Sequence, residues 1–413
     1  MDVRLAKEVG RPSAYRWVLL ILAGTAYLGL PSLATPIRPW DGHFPRLAQA
    51  FLHGRLDILP DPSSHQRSDE LIPSRDGTRL YCPYPPLPAV LLMPFVMLFG
   101  LSATVETATR IVSVLNLLLF DACLLKLPEV LGLPRLQWRG RVLLDVLFGL
   151  GTAALHNAMT GGDWHLAHAV ALCAMQLALL EYSRARRPSV LGVCIAAVVL
   201  TRPTAVLACA FFAMPLLRSR RPRELVLLVV PPILAASLLA AYNFARFGDP
   251  LDFGYQRMLL TGDGKICMET FGQFHPHFIL GNLFWFFLAP PWPLVDGRFP
   301  WLGFDLRGLS LFLACPPTLY AFVAMKDRWG QAAVRDAAAA VLLSLIPLLL
   351  YFNTGYAQFG HRFSMDYLAP LLVLVVAGIG TRPSRLAFAL TAVALLVQFW
   401  GLVLMPITRI PIG

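Results

Sequence analysis

Apolar runs close to 20 residues long recur along this chain, each broken off by a short polar or basic stretch. As a helix, such a run crosses the roughly 30 Å hydrocarbon core of a bilayer. A backbone placed there has to satisfy its own hydrogen bonds, which a helix does. Helical spans are therefore predicted at 17–34, 104–126, 142–158, 164–182, 188–201, 204–217, 224–243, 307–325, 333–352, 364–380 and 385–404. The expected fold is an all-α polytopic membrane protein, a single transmembrane domain over 1–413 with about 11 crossing helices. Composition agrees, since 57% of the residues are hydrophobic and only 14% charged, too little polar surface for a soluble globule. Residues 1–16 are polar and 17–33 read as an anchor that stays, so no cleavable signal peptide is expected.

The stretch 86–100 is apolar too, but it is short and holds three prolines, so it reads as an interfacial or re-entrant helix. Charge supports that choice. With the N-terminus inside, four Lys/Arg fall in each of 1–16, 126–141 and 218–223, three in each of 184–187 and 326–335, and two in 382–385. These segments hold 20 of the 35 basic residues, against eight acids in or flanking them (Asp2, Glu8, Glu129, Asp145, Glu181, Glu224, Asp327 and Asp336), while the other side is near neutral, the positive-inside pattern. The net charge of +11 thus sits in loops, not in a stripe with interleaved aromatics, and no nucleic-acid partner is expected. Two large outer loops result, 35–103 and 244–306, and the inner loops leave no room for a soluble domain.

Chemistry-bearing residues gather on that outer side. In "PWDGHFPRLAQAFLHGRLDI", Phe44, Leu47, Ala48, Phe51 and Leu52 recur at helical spacing opposite Arg46, Gln49 and His53. Pro45 suits the first turn and Gly54 the C-terminal cap, so an amphipathic helix is expected on the outer leaflet. Asp41, just before it, either caps the helix or serves as a general base at the water–lipid boundary. Asp69, Glu70 and Asp76 follow on a wet loop, where carboxylates are mostly just solvated. In "TGGDWHLAHAV", Asp163 and Trp164 stand at the lip of a span, with His165 and His168 three apart on one helix face. That pair suits hydrogen bonding more than metal, because no third ligand is implied and no cluster has zinc spacing. Arg202, Arg246 and Arg362 end three separate spans on the outer side, where guanidinium groups either snorkel to headgroups or hold a lipid-linked phosphate. Trp40, His43, Tyr84, Trp164, Tyr255 and Trp292 are aromatic or ring-bearing groups able to contact a sugar or acceptor, although interfacial belts use the same residue types. Of seven cysteines, Cys82 and Cys267 share the outer face and could pair, while the other five lie in apolar segments.

The succession of an outer-loop Asp, an amphipathic helix ending "HGRLD", then "YPPLPA", "WHLAHAVAL", "LTRPTAV", "NFARFGDPLDFGY" and "GHRF" resembles the bacterial branch of the GT-C integral membrane glycosyltransferases. Within that superfamily it is similar to the dolichyl-phosphate-mannose-protein mannosyltransferase-like and aminoarabinose-transferase-like proteins, over roughly 16–400. The resemblance implies a polyprenyl-phosphate sugar donor and a catalytic base in the first outer loop, the position that Asp41 matches. An adjacent Asp-Glu pair is frequent there, whereas Gly42 follows Asp41 here, which leaves Asp69, Glu70 and Asp163 as alternative acids.

The expectation that follows is inverting transfer of a sugar from that donor to an acceptor hydroxyl on a glycan, lipid or protein. Arg362, Arg202, Arg246 and His165 would contact the donor phosphate, in a bacterial inner membrane with the site on the periplasmic or extracellular side. No cofactor is implied, and a divalent metal is left open. The rivals are a lipid or glycan flippase or transporter, and a non-catalytic assembly subunit. Asp121, Asp145, Glu106 and Arg110 lie near the ends of their spans, so mid-membrane is nearly charge-free, which argues against an ion-coupled carrier.

Overall fold

The computed structural model describes residues 42–58, 71–74, 76–258, 262–293, 301–355 and 358–404, together with 18, 21 and 24–28. The amphipathic helix expected near the start is α1, His43–Leu52, with Phe44, Leu47 and Ala48 buried and Gln49 and His53 exposed. Leu52, expected on the apolar face, is exposed. The helix stops at Gly54, whose φ of +67° is left-handed, and the Arg55 N–H closes the turn on the Ala50 carbonyl at 2.9 Å. A small hairpin follows, β1 (Ile72–Pro73) with β2 (Leu80–Tyr81), which leads the chain back to α2, Leu87–Phe99. At 13 residues α2 is about 20 Å long, short of a crossing. Its first N–H donates to the Leu200 carbonyl at 3.1 Å.

The bundle comprises α3 (Val105–Leu124), α4 (Trp138–Gly151), α5 (Ala153–Thr160), α6 (Asp163–Tyr182), α7 (Pro188–Val199), α8 (Ala210–Arg218) and α9 (Pro222–Phe247). It continues with α10 (Gly262–Phe271), α11 (Tyr320–Asp327), α12 (Ala332–Leu350), α13 (Leu368–Ile379) and α14 (Arg385–Leu404). Among the described residues, α3, α6, α9, α12 and α14 are long and apolar enough to cross a membrane, and α4 with α5, bent by 46°, makes a sixth. The bend falls at Thr152, whose hydroxyl accepts the Ala154 N–H and starts a new helix.

The expected count of about 11 is not reached by this measure. α7, α8 and α13 are apolar but shorter, and 17–34 is described only in part. The span expected at 307–325 is broken by Pro316 and Pro317, which donate no backbone hydrogen bond, into Leu311–Ala314, a 3-10 turn and α11. Conversely, an apolar helical stretch, Pro276–Leu288, occupies ground expected to be loop.

α6 and α13 form the centre, nearly every residue of α13 being buried. α9 lies outside and turns Leu227, Ile233, Leu234 and Leu238 outward. Apolar burial alone does not drive helices together in lipid, so close contacts depend on small residues. A Cβ on Gly192 of α7 would stand 2.6 Å from the Leu228 carbonyl of α9, and one on Gly378 of α13 would stand 2.0 Å from the Tyr320 carbonyl of α11.

Segments assigned to one side of the membrane meet at one end of the bundle. At the basic end, Arg218 holds Asp336 through two bonds of 2.6 and 2.7 Å, and the Tyr320 hydroxyl lies 3.1 Å from Ser384 Oγ. At the other end α1, α2, the start of α6 and the end of α7 come together. The possible Cys82–Cys267 pairing does not form. Cys82 is buried beneath the hairpin, Cys267 is half-buried on α10, and no disulfide joins them.

Candidate active site

The site grows from the turn between α5 and α6. Gly161 and Gly162 have φ of +61° and +101°, values that suit glycine, and a side chain on Gly161 would meet Glu106 at 2.8 Å. This tight turn sets Asp163 at the start of α6, 8% exposed. Its carboxylate then does what no residue of α1 does. Oδ2 accepts the His43 N–H and Oδ1 the Phe44 N–H, both at 2.9 Å. The first turn of a helix leaves such donors without partners, and Pro45 adds none. Asp163 therefore caps α1 from a distance, and the Gly42 cap position contributes no side-chain bond. Two of the donors at this helix start are thus held by Asp163. Asp41 itself lies outside the described residues, as do Trp40, Asp69 and Glu70.

Behind α1, the His43 and Tyr84 rings stack with centroids 6.5 Å apart, and Phe44 packs on Tyr84 at 5.5 Å. Trp164, next to Asp163, lies under Arg362, whose guanidinium carbon stands 5.1 Å from the indole. The same guanidinium is 5.5 Å from the Phe363 ring, and that of Arg202 is 5.9 Å from it on another approach. Tyr84 and Tyr351 lie within electrostatic reach of Arg362. Burial first, and the Arg202 charge second, push the Arg362 guanidinium below its ordinary value, so an anion at this point would be welcome.

A residue that the sequence reading passed over organises this centre. Asp366 closes the 3-10 turn Arg362–Asp366 and is 1% exposed. It holds Arg202 in a two-pronged pair, Nε at 2.6 Å and Nη2 at 2.8 Å, and lies 2.9 Å from His168 Nδ1. His361, stacked on Phe286 at 3.7 Å, is buried beside them. Tyr255 is half-buried within reach of the Arg202 and Arg246 charges.

The three arginines have different fates. Arg246, 4% exposed, donates to the carbonyls of Cys82 and Tyr242 and to Asn243 Oδ1, with its plane 3.7 Å from the Tyr242 ring. These bonds tie the end of α9 to the residue after the hairpin. Arg202 shares its charge with Asp366, and Arg362 faces the aromatic cluster. His165, the residue after Trp164, is buried, and its carbonyl accepts from Asn157 Nδ2 at 2.9 Å. Asp76 is exposed in the hairpin turn, bonded by Thr78, away from this centre.

One further acid stands at the rim. Glu106, in the first turn of α3, faces the Asp163 charge, and its Oε1 is buried with no partner among the described residues. No three His, Cys, Asp or Glu side chains among the described residues converge as metal ligands.

This architecture has the fold of the solved ArnT structures. In particular, the chain is similar to ArnT from Cupriavidus metallidurans bound to undecaprenyl phosphate, with a TM-score of 0.54 at 12% identity, over 97% of this chain and 67% of ArnT. For apo ArnT the values are 0.53 and 13%, over 97% and 66%. The Archaeoglobus fulgidus oligosaccharyltransferase gives 0.46 at 15% identity, over 97% of this chain and 56% of that one. The chain spans about two thirds of the length of ArnT. No family model and no curated protein sequence matches it.

Proposed function

We propose that this protein transfers a sugar from a polyprenyl-phosphate donor to an acceptor hydroxyl at the outer face of a bacterial inner membrane. The observation that carries this reading is the convergence of Arg362, Arg202, Trp164 and Tyr84 beside the start of α1, at one end of an apolar bundle with a GT-C fold. The ArnT structure bound to undecaprenyl phosphate supports the lipid carrier.

In this scheme the lipid tail lies against the bundle and the phosphate rests at Arg362 and Arg202. Asp41, two residues before His43, takes the proton of the acceptor hydroxyl as its oxygen attacks the anomeric carbon. The bond from that carbon to the phosphate oxygen breaks, its electron pair leaves with the polyprenyl phosphate, and the configuration inverts. The guanidinium groups offset the charge that develops on the leaving oxygen. Tyr84, Trp164 and Tyr255 offer ring faces and hydroxyls to the sugar, and the acceptor enters from the water side of α1.

The test is an Asp41→Asn variant in membranes supplied with undecaprenyl-phosphate-linked sugars, with radiolabelled product as readout. Removing a general base costs roughly 100- to 10,000-fold in rate. Transfer at the wild-type rate would remove Asp41 from this role. Wild-type protein that moves label across the bilayer but never onto an acceptor would favour a flippase. Cysteine labelling at Asp76 from the periplasm, and at Arg220 only after permeabilisation, is the expected result for the proposed orientation.

A further inference from the structure

We infer that Asp366 is a positioning residue that shapes Arg202 for the donor phosphate, an inference that rests on the phosphate reading above. A guanidinium presents its donors in a fixed plane. Because Asp366 takes Nε and Nη2, that edge of Arg202 is occupied and the plane is set, which leaves Nη1 as the end open to another acceptor. Both Arg202 and Arg362 then border the ring of Phe363, at 5.9 and 5.5 Å, so one planar side chain keeps the two like charges apart at fixed approach.

The same carboxylate faces His168, whose Nδ1 lies 2.9 Å away and whose Nε2 is buried without a partner among the described residues. His361 Nδ1 and Nε2 and the Tyr367 hydroxyl are likewise buried without partners there. Each of these side chains is 1% exposed, so the Asp366 carboxylate lies in a buried polar centre beside the two arginines. A carboxylate that orients neighbouring donors in this way acts through them and need not touch the ligand. Two arginines and one aspartate leave a single surplus positive charge, which suits one phosphate group.

The test compares undecaprenyl phosphate with undecaprenol, the same tail without the phosphate, bound to full-length protein in nanodiscs and counted by native mass spectrometry. Asp366→Asn keeps the shape but breaks the fork. It should weaken undecaprenyl phosphate by roughly tenfold to a hundredfold, the loss of one charge-assisted contact, and leave undecaprenol unchanged. Tighter phosphate binding would overturn the inference, because Asp366 would then only subtract charge. Unchanged binding of both lipids would overturn it as well, and so would an equal loss for both, which marks a structural role. If Asp366→Asn fails to fold, Arg202→Gln with Asp366→Asn carries the test as a neutral, hydrogen-bonding pair. The expected loss of phosphate preference is the same, and wild-type preference refutes the role. Wild-type protein that binds the two lipids equally would instead overturn the donor reading itself.

Discussion

The carboxylate of Asp163 offers the sharpest perturbation, because its two bonds cross between elements and can be removed one at a time. Each is an N–H to a charged acceptor at 2.9 Å at a buried site, an interaction worth about 1.5–3 kcal/mol. Asp163→Asn keeps one accepting oxygen and loses the other with the charge. The first turn of α1 should therefore open more easily by about 1.5–3 kcal/mol, roughly tenfold to a hundredfold in local equilibrium. Asp163→Ala removes both acceptors and should roughly double that energy. Hydrogen–deuterium exchange of the protein in nanodiscs reads this directly: peptides over 43–48 should exchange faster by those factors, in the order wild type, Asn, Ala. Peptides from α12 and α13 should not change. Sugar transfer should fall in the same order, since the loop that carries Asp41 loses its anchor. Unaltered exchange at 43–48 would refute the capping role, and so would acceleration spread evenly over the bundle.

Gly161→Ala combines a left-handed backbone with a Cβ 2.8 Å from Glu106, and should cost about 2–4 kcal/mol, read as an earlier thermal aggregation midpoint in detergent. Gly378→Ala should separate α11 from α13, because the added carbon would stand 2.0 Å from a backbone carbonyl. Its expected signature is lost folded yield, and an unchanged melting profile would refute the close approach. Arg362→Gln and Arg246→Gln should part ways. The first should keep the fold and weaken undecaprenyl phosphate binding by roughly tenfold or more. The second, which strips three bonds to protein acceptors, should lower stability and leave any folded fraction with its phosphate preference.

Much of this arrangement is written locally and so is legible without coordinates. α1 declares itself by helical spacing and its closing Gly54, and α3, α6, α9, α12 and α14 by length. What stays hidden is long-range partner choice. Arg202, Arg246 and Arg362 look equivalent as sequence, yet Arg202 meets Asp366 across 164 residues and Arg246 meets the Cys82 carbonyl across another 164. Asp366 lies just past the "GHRF" motif, four residues beyond Arg362, and about one helical turn of spacing is the signal available for it. Nothing local shows, either, that two amides of a distant helix use the Asp163 oxygens. Breaks within apolar runs were missed for a similar reason. The Pro316–Pro317 pair interrupts a run whose hydropathy stays high, and a window average over composition does not register a missing N–H.

Two consecutive side chains at the head of α6 pull in different directions. Asp163 grips the start of α1, and Trp164 carries the Arg362 guanidinium. A single peptide unit thereby fastens two halves of the centre, the first turn of α1 and the Arg362 guanidinium. A shift of that one turn, whether by mutation, by a bound headgroup or by a change in bilayer thickness, has to misalign both halves together.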